Sequence, residues 1–176
     1  MRQRRPFFSP TLAAMAALAL AGSALLAHAG DKGFSMGVEG HARTSAADVG
    51  LPVYAGAVPY PQNDGDKAAV TLGAWAGKFG LHVDALKFRT AAAPDRVAAF
   101  YAKALGRYGD VLDCRDPANR IKPPKEQADK LSCDEKAPTV GEYQYRVGTA
   151  KSFRAVSVKP EGEGSRFDMA RIELSY

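Results

Sequence analysis

The densest apolar run of the chain lies near its start: Leu12 to Ala27 is broken only by Gly22 and Ser23. Arg2, Arg4 and Arg5 precede it, and Ala27-His28-Ala29 follows with small residues at the two positions a signal peptidase reads. Positive, apolar and small-residue regions in this order predict a signal peptide over residues 1–29, cleaved before Gly30. The alternative, a retained membrane anchor, calls for roughly 20 apolar residues, more than this run supplies. Arg4-Arg5-Pro6-Phe7-Phe8 also resembles the twin-arginine export motif, which leaves the export route open. Residues 30–50 are small, polar and without a sustained period, and read as a flexible lead-in to one domain over 51–176.

Within that domain the pattern changes several times. Pro52, Pro59 and Pro61 make 51–61 an extended edge or surface segment rather than a central strand, since proline cannot donate to a sheet ladder. After a turn cluster at 62–67, Ala69 to Trp75 and Phe79 to Thr90 read as two strands of a hairpin around Gly77. The second run changes parity. Phe79, Leu81, Val83 and Ala85 share one face, then Leu86 and Phe88 occupy the other. A bulge near Asp84–Ala85 or burial on both faces accounts for this, and the bulge is the preferred expectation.

The clearest helix is predicted from Pro94 to Tyr108. Val97, Phe100, Tyr101, Ala104, Leu105 and Tyr108 form one apolar stripe, with Arg96, Lys103 and Arg107 opposite and Gly109 as the stop. Further strands are expected at Val111–Cys114, Glu142–Val147, Phe153–Lys159 and Phe167–Ser175, the last two separated by a Gly-rich turn. The predicted class is α+β: an antiparallel sheet of about five to six strands with one main amphipathic helix packed on one face.

Composition changes this picture in two places. Removing residues 1–29 takes away three arginines and no acid, so a formal charge of +5 falls to about +2. A domain so nearly neutral carries no electrostatic footprint for nucleic acid, and nothing predicts stable membrane insertion of the mature chain. The only cysteines, Cys114 and Cys133, are an even pair in a chain expected to be exported, which reads as a disulfide. It would tether a loop rich in proline and charge, including Arg115, Arg120, Lys122, Lys125 and Lys130. A redox pair or zinc site is disfavoured by the wide spacing and the lack of nearby histidines.

Candidate chemistry is sparse. After cleavage only His41 and His82 remain, and His41 falls in the lead-in. His82 and Asp84 stand two apart on a strand and share a face, enough for a metal pair or part of a hydrolase triad but not for a complete set. Asn63-Asp64-Gly65-Asp66 lacks the distal Glu of a calcium loop and reads as a turn, and Gly162-Glu163-Gly164 joins strands rather than opening a helix. No cofactor is implied. Tyr54, Tyr60 and Trp75 are candidates for a partner surface, since exposed Tyr and Trp favour interfaces.

Leu51-Pro-Val-Tyr-Ala-Gly-Ala57, Leu86-Lys-Phe-Arg-Thr90, Val97-Ala-Ala-Phe-Tyr-Ala-Lys-Ala-Leu105 and Tyr108-Gly-Asp-Val-Leu-Asp-Cys114 together resemble a group of uncharacterised exported proteins of Gram-negative bacteria. That group opens on an LPxYPGA motif, from which Ala55 departs, and has a Phe-Tyr helix. The resemblance spans roughly residues 51–114 and implies export and fold without a catalytic residue. The reading that follows is a non-enzymatic accessory or binding domain of the cell envelope, contacting a protein or another envelope component. Its rivals are a small hydrolase or metal-dependent enzyme using His82 and Asp84, and an inhibitor of secreted enzymes.

Overall fold

Hairpin chemistry organises the sheet. The strands β3 (Ala69–Ala76) and β4 (Phe79–Thr90) are joined through Gly77, whose φ of +60° suits a two-residue turn and is costly for other residues. The strands β7 (Ser152–Glu161) and β8 (Gly164–Ser175) are joined in the same way through Gly162, at φ +57°. β4 and β8 are the long central strands and pair along eleven registered positions, from Gly80↔Ser175 to Thr90↔Ser165. This is a computed structural model, and it describes residues 36–41, 44–61 and 66–176. All of these belong to one compact unit, Gly33–Tyr176.

Among the described residues the sheet has eight strands, all paired antiparallel, so the expected five to six is too few. Its order is β1 (Met36–His41), β3, β4, β8, β7, β6 (Tyr143–Gly148) and β5 (Leu112–Asp113), with β2 (Val58–Pro59) pairing β4 beyond the end of β3. β1 is a strand the pattern did not announce, whereas β2 falls within 51–61, read as an extended edge or surface segment. β1 is short and rich in glycine, and β2 contains a proline confined to the sheet's margin.

The reading of 30–50 as a flexible lead-in is corrected over its described part. β1 pairs β3 from Met36↔Ala76 to His41↔Thr71, and a short helix, α1 (Ala46–Val49), follows with Val49 fully buried. Ser45 and Asp48 close a capping box that holds this single turn. The signal-peptide reading and residues 30–35 lie outside the described residues.

The bulge in β4 is also corrected. Asp84 pairs Thr71 on one side and Arg171 on the other, and Ala85 pairs Val70 and Ala170, without a break. The parity change arises instead from burial on both faces. Asp84, Leu86 and Phe88 are buried beneath the helical layer, while Leu81, Val83 and Ala85 are partly buried on the opposite face.

The main helix, α2 (Pro94–Leu105), starts with proline in its first turn and continues as one 3-10 turn to Tyr108. It packs on β6, β7 and β8, burying Val97, Ala98, Tyr101 and Leu105 against Val147, Val156, Val158, Phe167 and Met169. Each large side chain so buried stabilises by about 1.5–3 kcal/mol relative to exposure, which anchors a helix too short to stand alone in water. The Cys114–Cys133 disulfide is formed across 19 residues and ties the irregular loop beside β5. No described helix is long and apolar enough to cross a membrane.

Candidate functional site

α1 and α2 cover only part of their sheet face. Beyond α1, toward the β3–β4 turn, no helix among the described residues covers the same face, and antiparallel register fixes which residues meet there. One cross-strand row reads Glu39, Gly73, His82, Glu173 and Ser152; the next reads Gly37, Trp75, Gly80 and Ser175. Side chains at such positions stand about 5 Å from their lateral neighbours. Gly73 therefore forms a bare floor, with Trp75, Glu39, His82 and Glu173 around it and the Ser175 side chain over the adjacent Gly80. The resulting cleft has a volume of about 420 Å³, and Ala74, Leu81, Leu174 and Ser175 complete its lining.

Trp75 is 42% exposed. Its six-membered ring lies against Gly37, where a Cβ would come within 2.2 Å of Cζ2, so only glycine there lets the indole fold down over β1. His82 is fixed from beneath. Its Nε2 lies 3.0 Å from Oδ2 of Asp84, which is 5% exposed, while Thr71 Oγ1 donates to Oδ1 at 2.8 Å. Thr44 Oγ1 lies 2.6 Å from Thr71 Oγ1, which closes a polar chain from the start of α1 to the cleft. A carboxylate only accepts, so Nε2 carries the proton in this contact.

The cleft's carboxylates have partners of their own. Glu39 is paired with His41, and Glu173 with Arg171 Nη2 at 2.6 Å. Arg171 also reaches the Asp48 carbonyl, tying this pair to α1. The Asp48 carboxyl is held below its usual range, chiefly by the Ser45 hydroxyl. Among the described residues, no hydroxyl or thiol is hydrogen-bonded to the His82 ring, and no group of three His, Cys, Asp or Glu is placed to hold a metal ion.

The three aromatic residues expected to share a surface stand apart. Tyr54 packs edge-on against Phe100, its N–H donating to Tyr101 Oη at 3.3 Å, which makes it part of the core margin. Tyr60 donates to Glu161 at 3.0 Å beneath Arg89, near the β7–β8 turn. Only Trp75 lines the cleft. His41 lies on β1 rather than in a loose lead-in, and Asp66, the described end of the calcium-like stretch, pairs with Lys87 Nζ at 2.7 Å. Asn63 to Gly65 lie outside the described residues. Gly162 and Glu163 form the β7–β8 turn, as read from the sequence.

Arg96 and Lys103 are exposed, whereas Arg107 donates to the Gly50 carbonyl at 2.5 Å. In the tethered loop Arg115 stacks over Tyr143 and pairs with Asp113, and Arg120 donates to the Cys114 and Arg115 carbonyls. Two of the five loop cations thus brace the chain. Glu39, Gly73, Gly80 and Glu173 were missed by sequence reasoning. Their only signal was spacing of two from Gly37, Trp75, His82 and Ser175, which acquires meaning once the register is known.

Compared with protein-family models, curated proteins and solved structures, the chain matches none. Function therefore rests on the site's own geometry.

Proposed function

We propose that the protein is exported and acts outside the cytoplasm as a non-enzymatic binding domain, contacting a cell-envelope component through the Trp75 cleft. The observation that carries this is the cleft itself: an exposed indole beside a bare glycine floor, ringed by polar groups already held in place. Exposed tryptophan beside a preorganised concave surface is the usual anchor of recognition. Export is supported by the three-part N-terminal segment and by a disulfide compatible with an oxidising compartment. The resemblance to exported Gram-negative proteins points the same way.

The Asp84–His82 pair favours a second reading, a hydrolase, because a buried carboxylate orienting an imidazole is two-thirds of a triad. The missing third is a hydroxyl or thiol within reach of the ring, so binding is the better-supported function.

The test uses protein recovered from the periplasm of a Gram-negative host expressing the full precursor. Intact mass should show cleavage before Gly30 and an oxidised cysteine pair. Sedimentation with isolated envelope fractions should retain the protein, and Trp75→Ala should abolish retention. Retention unaffected by Trp75→Ala, or none at all, overturns the assignment. Turnover of an ester or amide substrate that disappears in His82→Ala moves it to the hydrolase.

A further inference from the structure

Resting on that reading, the cleft's chemistry specifies the ligand class further. Gly73 sits mid-strand with an ordinary backbone conformation, and a Cβ there would meet nothing nearer than Glu39 Cβ at 3.9 Å. Neither strain nor crowding requires glycine at this position, and glycine weakens a strand interior. Its consequence is space, a flat floor between Glu39 and His82. One row on, the Ser175 side chain lies over Gly80, its Oγ 2.5 Å from where a Cβ on Gly80 would stand. The indole beside it rests on Gly37 and is exposed on its free side, forming an aromatic wall against which a flat ring can stack.

Two ligand classes suit an aromatic wall with carboxylates, a cation and a hydroxyl-rich ring. A cation over tryptophan gains from the ring quadrupole and from unpaired anions nearby. Here Glu173 is ion-paired with Arg171, Glu39 is hydrogen-bonded to His41, and Asp84 to His82 and Thr71, so each carboxylate is already engaged and held in direction. What the cleft offers instead are directional acceptors, the remaining carboxylate lone pairs, together with the Ser175 hydroxyl. Hydroxyl-rich, uncharged rings satisfy such acceptors while laying an apolar C–H face on the indole. The volume of about 420 Å³ lies within the range of small-ligand sites, about 300–1,000 Å³.

We infer that the cleft binds a neutral saccharide, one ring stacked on Trp75 over Gly73, with its hydroxyls donating to Glu39 and Glu173.

Trp75 is the only tryptophan in the chain, so its emission reports on the cleft directly. The periplasmic protein is titrated with chitotriose, cellotriose and maltotriose, and separately with spermidine. At least one neutral trisaccharide should shift emission saturably, with Kd on the order of 0.1–1 mM, and spermidine should not. Gly73→Val places a branched side chain on the floor, its Cβ meeting nothing nearer than 3.9 Å, and keeps the fluorophore, so it should weaken binding at least tenfold while leaving the unfolding midpoint near wild type. Calorimetry on Trp75→Ala should show no saccharide binding. If no trisaccharide binds while envelope retention stays dependent on Trp75, the saccharide inference fails and the binding-domain reading stands. If both are absent, both fail. Saturable spermidine binding that Gly73→Val abolishes overturns the saccharide inference in favour of a cationic ligand.

Discussion

Replacing Cys114 and Cys133 together by alanine removes the only covalent constraint on the loop beside β5. Alanine is the informative choice because both positions are buried, at 1% and 6% exposure, where a serine hydroxyl would add its own desolvation cost. The bridge closes a loop across 19 residues. On the chain-entropy account, releasing a loop of this length costs about 3 kcal/mol at 25 °C, through greater freedom of the unfolded chain. With a urea m-value of about 2 kcal/mol/M for a domain of this size, the midpoint should fall by about 1.5 M. The thermal midpoint should fall by about 6–12 °C. Urea unfolding followed by far-UV circular dichroism, with and without reductant for the wild type, measures both routes to the same state. β5 lies at the sheet edge opposite β1, so native Trp75 emission should not change. A loss under about 1 kcal/mol would refute the entropy reasoning. It would mean that Arg146, which donates to Ser132 O at 3.0 Å and pairs with Asp134, together with the Arg120 bonds, already restricts the loop unaided.

Three further outcomes follow from contacts elsewhere. Tyr101→Phe leaves the Tyr54 N–H without its partner and should cost about 1–3 kcal/mol in chemical denaturation, whereas Tyr101→Ala, at a fully buried position, should cost about 3–5. Gly148→Ala, at φ +121° with the Ser152 carbonyl 2.3 Å from the new Cβ, should cost at least about 1–3 kcal/mol and lower the thermal midpoint. The Arg115 hydrogen bond holds the Asp113 carboxyl below its ordinary 3.8. This contribution to stability is therefore complete above that value and lost as pH falls through the lower folded-state value. Asp113→Asn should be less stable than wild type at pH 7 and should converge on it near pH 2; an equal difference at both pH values would exclude the linkage.

Local sequence was enough to place the elements whose signals are short-range. α2 announced itself through Pro94, the stripe from Val97 to Tyr108 and Gly109, and the β3–β4 hairpin through alternation about Gly77. The cysteine pair in a chain headed by an export-like segment pointed to the disulfide without any coordinates. Where local pattern and tertiary cover disagreed, pattern failed. The parity change in β4 read as a bulge because the helical layer ends partway along the strand, and no local rule records where a distant helix stops. β1 was hidden for a similar reason: a six-residue, glycine-containing strand has little propensity of its own and forms because β3 offers a ladder.

The cleft shows the division most plainly. Residue order alone puts His82 and Asp84 on one face, since side chains alternate along any strand. It does not put Glu39 beside Gly73, or Gly37 beside Trp75, because those meetings depend on register between β1 and β3, strands far apart in the chain. Register is set by the whole buried face at once, as Leu86, Phe88, Phe167 and Met169 must all turn toward α2 together. The chain therefore carries its main elements and its cross-link in local order. Which side chains surround Trp75 was decided by a cooperative constraint that no single segment holds.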